Sequence, residues 1–224
     1  MVPFYLLITI HLSDSKLLMN VLIKIVIVDC CLGNLRSVQN ALQTLQVDVF
    51  ISNQVKDLSN ADAVVLPGVG AFREAIKNIG SLRSTIHEDI ERGKPFLGIC
   101  LGLQLLFTES KEGGIYSGLD VLQGQIVRFP RQVKVPHIGW NTLRIIDDNN
   151  PLVEGLQAEE YVYFLHSYYA KIKDRTMIVA LTEYDINFPS IVAKKNIFAT
   201  QFHPEKSGKT GLKILQNFLR YVRK

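Results

Sequence analysis

The chain has 224 residues, 47% of them hydrophobic, and a formal charge of +4 from 25 Lys and Arg against 21 Asp and Glu. That length and apolar content suit one large domain with a substantial core. The basic residues are scattered, not gathered into the stripe of a nucleic-acid binder. The three cysteines, two of them adjacent, make no disulfide framework and fit a reducing cytoplasm.

Residues 1–23 form an extra segment ahead of the first strand pattern, and the domain covers 24–224. Residues 2–10 are apolar but shorter than the roughly 20 residues a membrane helix needs. No Lys or Arg precedes them and no small-residue cleavage site follows, so they do not read as a secretory signal. Nor do they carry the arginines of a mitochondrial presequence. Met19 is the expected natural start, with residues 1–18 a loose tail or a gene-start error; the intact mass of the native protein checks this.

Residues 23–29, Ile-Lys-Ile-Val-Ile-Val-Asp, read as a buried parallel strand. Gly33-Asn34 turns the chain, and Asn34 is placed to cap a helix from 35 to about 45; the alternative is that Asn34 and Arg36 face a ligand or partner. Cys30 and Cys31 read as packing residues. Residues 47–51 and 61–66 give two further strands, the second running into Pro67-Gly68-Val69-Gly70. Such a turn exposes successive backbone N–H groups to an anion. No Gly-Lys-Ser/Thr follows, so a phosphate loop is disfavoured; an ordinary strand-to-helix connection is the alternative. Residues 71–79 and 81–92 read as helices, closed by Gly93-Lys94-Pro95.

The next stretch, Phe96-Leu97-Gly98-Ile99-Cys100-Leu101-Gly102-Leu103-Gln104, organises the chain. An apolar run ends at a cysteine with glycines two residues to either side, the pattern of a nucleophile elbow with sulfur in place of a serine oxygen. A Cβ at Gly98 or Gly102 would crowd the turn. Cys100 then sits at a helix N-terminus, which favours a thiolate. The plain alternative is a small apolar residue at a strand end. Continued helix would put Gln104 and Phe107 on the nucleophile's face and Leu103 and Leu106 in the core.

From there short apolar runs alternate with turns, suggesting antiparallel additions to a parallel sheet. Residues 161–164, 177–184 and 190–194 read as strands. Residues 208–221 form an amphipathic closing helix with Leu212, Leu215, Phe218 and Leu219 on one side. Before it stands Thr200-Gln201-Phe202-His203-Pro204-Glu205. Pro204 biases His203 toward an extended backbone, which would set His203 and Glu205 on one face. A cysteine nucleophile needs a base, and the base an orienting carboxylate. Cys100, His203 and Glu205 supply that set; a surface turn with a chance His and Glu is the alternative.

Gly-Ile-Cys-Leu-Gly-Leu-Gln together with Gln-Phe-His-Pro-Glu resembles the class I, triad-type glutamine amidotransferases. More narrowly, the chain is similar to the amidotransferase subunits of imidazole glycerol phosphate synthase, from histidine biosynthesis. The narrower likeness rests on Gly33-Asn34-Leu35-Arg36-Ser37-Val38, Leu66-Pro67-Gly68-Val69-Gly70-Ala71-Phe72, Pro136-His137-Ile138-Gly139-Trp140-Asn141 and Phe164-Leu165-His166-Ser167-Tyr168. The family turn Asp-Tyr-Gly-x-Gly-Asn is here Asp29-Cys30-Cys31-Leu32-Gly33-Asn34, which alters the turn and leaves the triad untouched.

The resemblance implies an α/β fold: a mixed, mainly parallel central sheet with helices on both faces, flavodoxin-like, and a site at the C-terminal strand ends. It implies glutamine hydrolysis through a Cys100 thioester, with His203 as acid and base and Glu205 orienting it. Gly68, Val69, Gly70 and Leu101 would form the oxyanion hole. Gln104, Glu112, His166, Ser167 and Tyr168 would meet glutamine, Glu112 at its α-amino group; a solvated loop charge is the alternative for Glu112. His137, Trp140 and Asn141 would face the synthase partner near the ammonia exit, with a core aromatic as the alternative for Trp140. The implied partner is a separate (β/α)8-barrel cyclase subunit in a heterodimer. It would receive the ammonia, control the oxyanion turn, and yield imidazole glycerol phosphate and aminoimidazole carboxamide ribotide. No cofactor, metal, nucleic acid or membrane is implied. Ammonia donors for pyridoxal phosphate or guanine nucleotide synthesis fit the two motifs at 33–37 and 136–140 less well. A cysteine hydrolase or peptidase with the same elbow, and an idle binding subunit, are the readings from other classes.

Overall fold

The computed structural model describes residues 23–30 and 33–224. The expectations for residues 1–18, for Met19 and for Cys31 lie outside the described residues. The first half builds β1 (Lys24–Val28), α1 (Leu35–Gln43), β2 (Asp48–Ser52), α2 (Val55–Asn60), β3 (Ala63–Gly68), α3 (Phe72–Ile79), α4 (Leu82–Glu91), β4 (Phe96–Cys100) and α5 (Leu101–Leu105). The second half builds β5 (Phe107–Ser110), β6 (Tyr116–Ser117), β7 (Leu122–Arg128), β8 (His137–Ile145), β9 (Glu159–His166) and β10 (Tyr168–Ile172). It ends with β11 (Ile178–Tyr184), β12 (Ile186–Lys194), β13 (Ile197–Thr200) and α6 (Gly208–Val222).

A nine-stranded sheet runs in the order β2-β1-β3-β4-β13-β12-β11-β8-β9. The five strands from β2 to β13 are parallel, and β12, β11, β8 and β9 continue antiparallel. β3 and β4 are buried along their whole length, as their unbroken apolar runs require. Alternate side chains of β1 feed two cores. Ile25 and Ile27 pack with Val38 and Leu42 of α1 and Leu215 and Phe218 of α6. Val26 and Val28 pack with Leu58, Phe72 and Ile86 of α2, α3 and α4. Each such burial contributes roughly 1.5–3 kcal/mol. Helices therefore cover both faces, and no helix among the described residues is long and apolar enough to cross a membrane.

Three expectations change. The helix after Cys100 is one turn long, and Phe107 opens a strand. The carbonyls of Leu105, Leu106 and Phe107 are taken by the N–H groups of Leu119, Val121 and Asp120, so they cannot serve a continuing helix. β5 joins β10, β7 and β6 in a second, four-stranded sheet where only additions to the first were expected. Leu212 of α6 is 38% exposed, off the buried side formed by Leu215, Phe218 and Leu219.

Candidate active site

Cys100 ends β4 with φ 54 and ψ −105, a conformation that costs a non-glycine residue on the order of 1–3 kcal/mol. Its neighbours hold it there. A Cβ on Gly98 would stand 3.0 Å from the backbone of Gly102 and Leu103, and one on Gly102 would stand 1.6 Å from the Leu66 carbonyl oxygen. The two glycines thus let α5 start directly against β4 and β3. The Cys100 thiol donates to the Leu165 carbonyl at 3.7 Å, and Gln201 Nε2 donates to the sulfur at 3.7 Å.

His203 follows β13 in an extended conformation, and Glu205 lies in a 3-10 turn over Pro204–Lys206 rather than on a continuing extended segment. The turn still brings His203 Nδ1 to 2.8 Å from Glu205 Oε1, and neither side chain is more than 1% exposed. Burial acts to lower the His203 pKa; the Cys100 charge and the bonded Glu205 carboxylate override it and hold it up at about 10. Nε2 makes no well-formed hydrogen bond, so Cys100 acts on it mainly as a nearby charge. The imidazole is therefore an imidazolium whenever the sulfur is a thiolate.

Asn34 does not cap α1. It adopts a left-handed conformation with φ 68 and no capping bond. Its Nδ2 instead donates to Glu205 Oε1 and lies 3.3 Å from His203 Nδ1. Both nitrogens share one carboxylate oxygen, which fixes the proton of His203 on Nδ1 and leaves Nε2 toward the sulfur. The His203 backbone N–H donates to the Tyr163 carbonyl of β9 at 2.9 Å, anchoring this residue to the antiparallel half of the sheet.

A cavity of about 240 Å3 opens over Cys100. Val69, Gly70, Leu101, Gln104, Glu112, His166, Ser167 and Tyr168 line it, joined by Pro136 and Leu165. Gly68 is not among the lining residues; it pairs with Cys100 across β3 and β4. Gln104 Nε2 donates to the Tyr168 carbonyl at 3.1 Å and to Gln201 Oε1 at 3.3 Å. Glu112 Oε2 accepts from the backbone N–H of Phe72 at 3.0 Å, at the first turn of α3. Among the described residues no group of three His, Cys, Asp or Glu is placed to hold a metal ion.

The 136–141 motif splits. His137 is buried, stacked between Phe164 and Tyr184 with ring centroids 4.8 and 4.0 Å away, so it presents no surface to a partner. Trp140 is 56% exposed, against Tyr163. Asn141 Nδ2 donates to His137 Nε2 at 3.4 Å, His137 Nδ1 to His166 Nε2 at 3.2 Å, and His166 Nδ1 to the Tyr168 carbonyl at 2.8 Å. Burial lowers His137 to about 4 and His166 to about 3, so both are neutral and each keeps one donor and one acceptor.

Two residues at the site had no catalytic part assigned from sequence: Asn34, expected as a cap, and Gln201, quoted only within its motif. The presence of a polar side chain beside each turn was visible; its target 171 or 101 residues away was not.

The family model for class-I glutamine amidotransferase matches residues 26–222. The chain is 48% identical over 194 residues to the imidazole glycerol phosphate synthase subunit HisH of Caldanaerobacter subterraneus subsp. tengcongensis, covering 86% of this chain and 95% of that one. It is 49% identical over 205 residues to the subunit of the same name from Natronomonas pharaonis, covering 88% and 94%. A crystal structure titled glutamine amidotransferase superposes with a TM-score of 0.69 at 21% identity, covering 89% of this chain and 99% of that one, which concerns the fold alone. With its family pattern matched from β1 to α6 and relatives close to half identical, the chain belongs to the class-I glutamine amidotransferases.

Proposed function

We propose that the chain hydrolyses glutamine to glutamate and ammonia and hands the ammonia to a cyclase subunit, as the glutaminase half of imidazole glycerol phosphate synthase. One observation carries the chemistry: a buried His203–Glu205 pair at 2.8 Å stands behind a cysteine held in a strained elbow that faces a cavity. The naming of its relatives as synthase subunits supports the rest.

The Cys100 thiolate attacks the side-chain amide carbon. The N–H groups of the 68–70 turn and of Leu101 take the negative charge that builds on oxygen. The His203 imidazolium gives its Nε2 proton to the departing nitrogen, and ammonia leaves as the γ-glutamyl thioester forms. Water then attacks the thioester; His203, now neutral, takes a proton from it, and the regenerated thiolate restores the ion pair. Glu205 stabilises the imidazolium in each cycle. Glu112 meets the substrate α-ammonium, while Ser167 and Tyr168 meet its carboxylate end through their backbone.

Ammonia reaching water would be protonated and lost as a nucleophile, so a receiving subunit must cover the exit. Ile138, Trp140 and Tyr161 are more than half exposed on one face of β8 and β9, an apolar patch that suits the (β/α)8-barrel cyclase. A working thiol is suited to a reducing cytoplasm. The test is glutamate release with and without the cyclase and its nucleotide ligand. We expect weak hydrolysis by the chain alone, strong stimulation in the complex, and none from Cys100→Ala. Absence of glutaminase activity in the complex overturns the assignment; equal activity with and without the cyclase overturns the coupling.

A further inference from the structure

Gln201 is fully buried just past the end of β13, its backbone N–H bonded to the Ser190 carbonyl at 2.9 Å. A buried carboxamide is costly unless its dipole is answered. Here both ends are answered within the site: Nε2 donates to the Cys100 sulfur, and Oε1 accepts from Gln104, which also donates to Tyr168. On its other contact the sulfur meets the Leu165 carbonyl oxygen. These two neighbours answer opposite protonation states. A thiol uses both, donating to Leu165 and accepting from Gln201. A thiolate is repelled by the carbonyl and keeps the Gln201 amide as its N–H partner, with the His203 imidazolium as a nearby opposite charge.

We propose that Gln201 is a positioning residue for the nucleophile: its amide N–H holds the Cys100 sulfur as a thiolate, and its amide oxygen ties that sulfur through Gln104 to the segment that receives the substrate. The inference rests on the glutaminase reading for its meaning and on the Cys100 environment alone for its test. The titratable groups around the sulfur are His203, with Glu205 behind it, and across the cavity His166, Tyr168 and Glu112.

The test uses the full chain, alkylated with iodoacetamide across pH 5–10 without glutamine, with Cys100 followed by peptide mass so that Cys30 and Cys31 do not count. Gln201→Met keeps the length and removes both polar ends; Gln201→Glu keeps the acceptor for Gln104 and removes the donor. A hydrogen bond to a charged partner is strong enough to change a rate about tenfold or more. Both variants should therefore alkylate about tenfold more slowly at pH 7 and recover at high pH. In the cyclase complex they should lose kcat about tenfold with KM changed less than threefold. An unchanged alkylation profile in both variants overturns the proposal, even if kcat falls. Should neither variant fold, 15N-glutamine labelling of the native chain reads the same contact. The Gln201 side-chain amide signal should follow the ionisation of Cys100 and lose that response in Cys100→Ala; a signal indifferent to pH overturns the proposal. Wild-type protein inactive on glutamine but normal in alkylation would sink the glutaminase reading alone.

Discussion

Asn34 Nδ2 and His203 Nδ1 both bond to the same oxygen of Glu205. The turn after β1 therefore reaches the triad carboxylate across 171 residues of sequence. The residue before it, Gly33, has φ +89, and a Cβ there would meet the Val69 side chain at 3.2 Å. One turn thus borders both the Glu205 carboxylate and the 68–70 turn proposed to hold the oxyanion.

Removing the Asn34 donor leaves Glu205 with His203 alone and frees the carboxylate to rotate. Hydrogen bonds to charged groups contribute about 1.5–3 kcal/mol. Asn34→Ala should lower kcat about tenfold with little change in KM, read from glutamine hydrolysis in the cyclase complex. Asn34→Asp should lose more, because a second carboxylate would repel Glu205. Equal rates for wild type and both variants would contradict this role.

His137, His166 and His203, all buried, predict a stability dome. Burial lowers His166 to about 3 against an ordinary 6.5, so the unfolded chain binds more protons between those values. Stability is then lost as pH falls below 6.5, by up to about 1.4 kcal/mol per pH unit for that imidazole. His137, lowered to about 4, adds in the same direction. His203 acts oppositely. Raised to about 10, its contribution is complete below 6.5 and lost as pH climbs through 10. Urea unfolding from pH 4.5 to 9.5 should peak near pH 6.5. His166→Asn, whose amide can still donate to Tyr168, should flatten the acid flank, and Cys100→Ala the alkaline one.

Gly102 is where the elbow meets β3. A Cβ 1.6 Å from the Leu66 carbonyl cannot be relieved by a side-chain rotation, because its position is fixed by the main chain and the atom it meets is backbone. Gly102→Ala should cost about 3 kcal/mol or more, seen as a fall in melting temperature or as insoluble protein. Gly93→Ala, with open space around it but φ +88, should cost about 1–2 kcal/mol through backbone strain. Similar melting for the two variants would show that the elbow has room to relax.

The elbow was legible because steric demand writes itself into sequence as glycine: Gly98 and Gly102 each face backbone that a methyl group would strike. The parallel strands were legible because burial on both faces leaves β-branched runs in β1 and β3. What failed depended on distant partners. Phe107 has helical spacing from Cys100, yet its own carbonyl and the two before it bond to residues 119–121. α2 was missed because its six residues bury only Leu58 and show no amphipathic period. His137 shares a motif with Trp140 but points to the other side of β8, where aromatic rings enclose it.

Trp140 tests the docking face. It is 56% exposed and touches Tyr163, whose strand carries the carbonyl that anchors His203. Trp140→Ala should leave the melting temperature of the isolated chain unchanged. Its Kd for the cyclase should rise about 30-fold, the loss of a central aromatic anchor being worth about 2 kcal/mol. Unaltered affinity in a titration of the two subunits would move the interface elsewhere.

Glu112 has two jobs that one substitution separates. Its Oε2 already accepts from the Phe72 N–H at the start of α3, directly after the oxyanion turn. Its other oxygen is free to meet the substrate α-ammonium in the cavity it lines. Glu112→Gln retains a carbonyl oxygen for Phe72 and removes the charge. KM for glutamine should rise about tenfold, since a hydrogen bond to a charged partner is lost, while kcat and melting temperature hold. Glu112→Ala removes both contacts, so it should also loosen the turn and lower kcat. If the glutamine variant keeps the wild-type KM, the carboxylate serves the turn alone and the ammonium is recognised by another group.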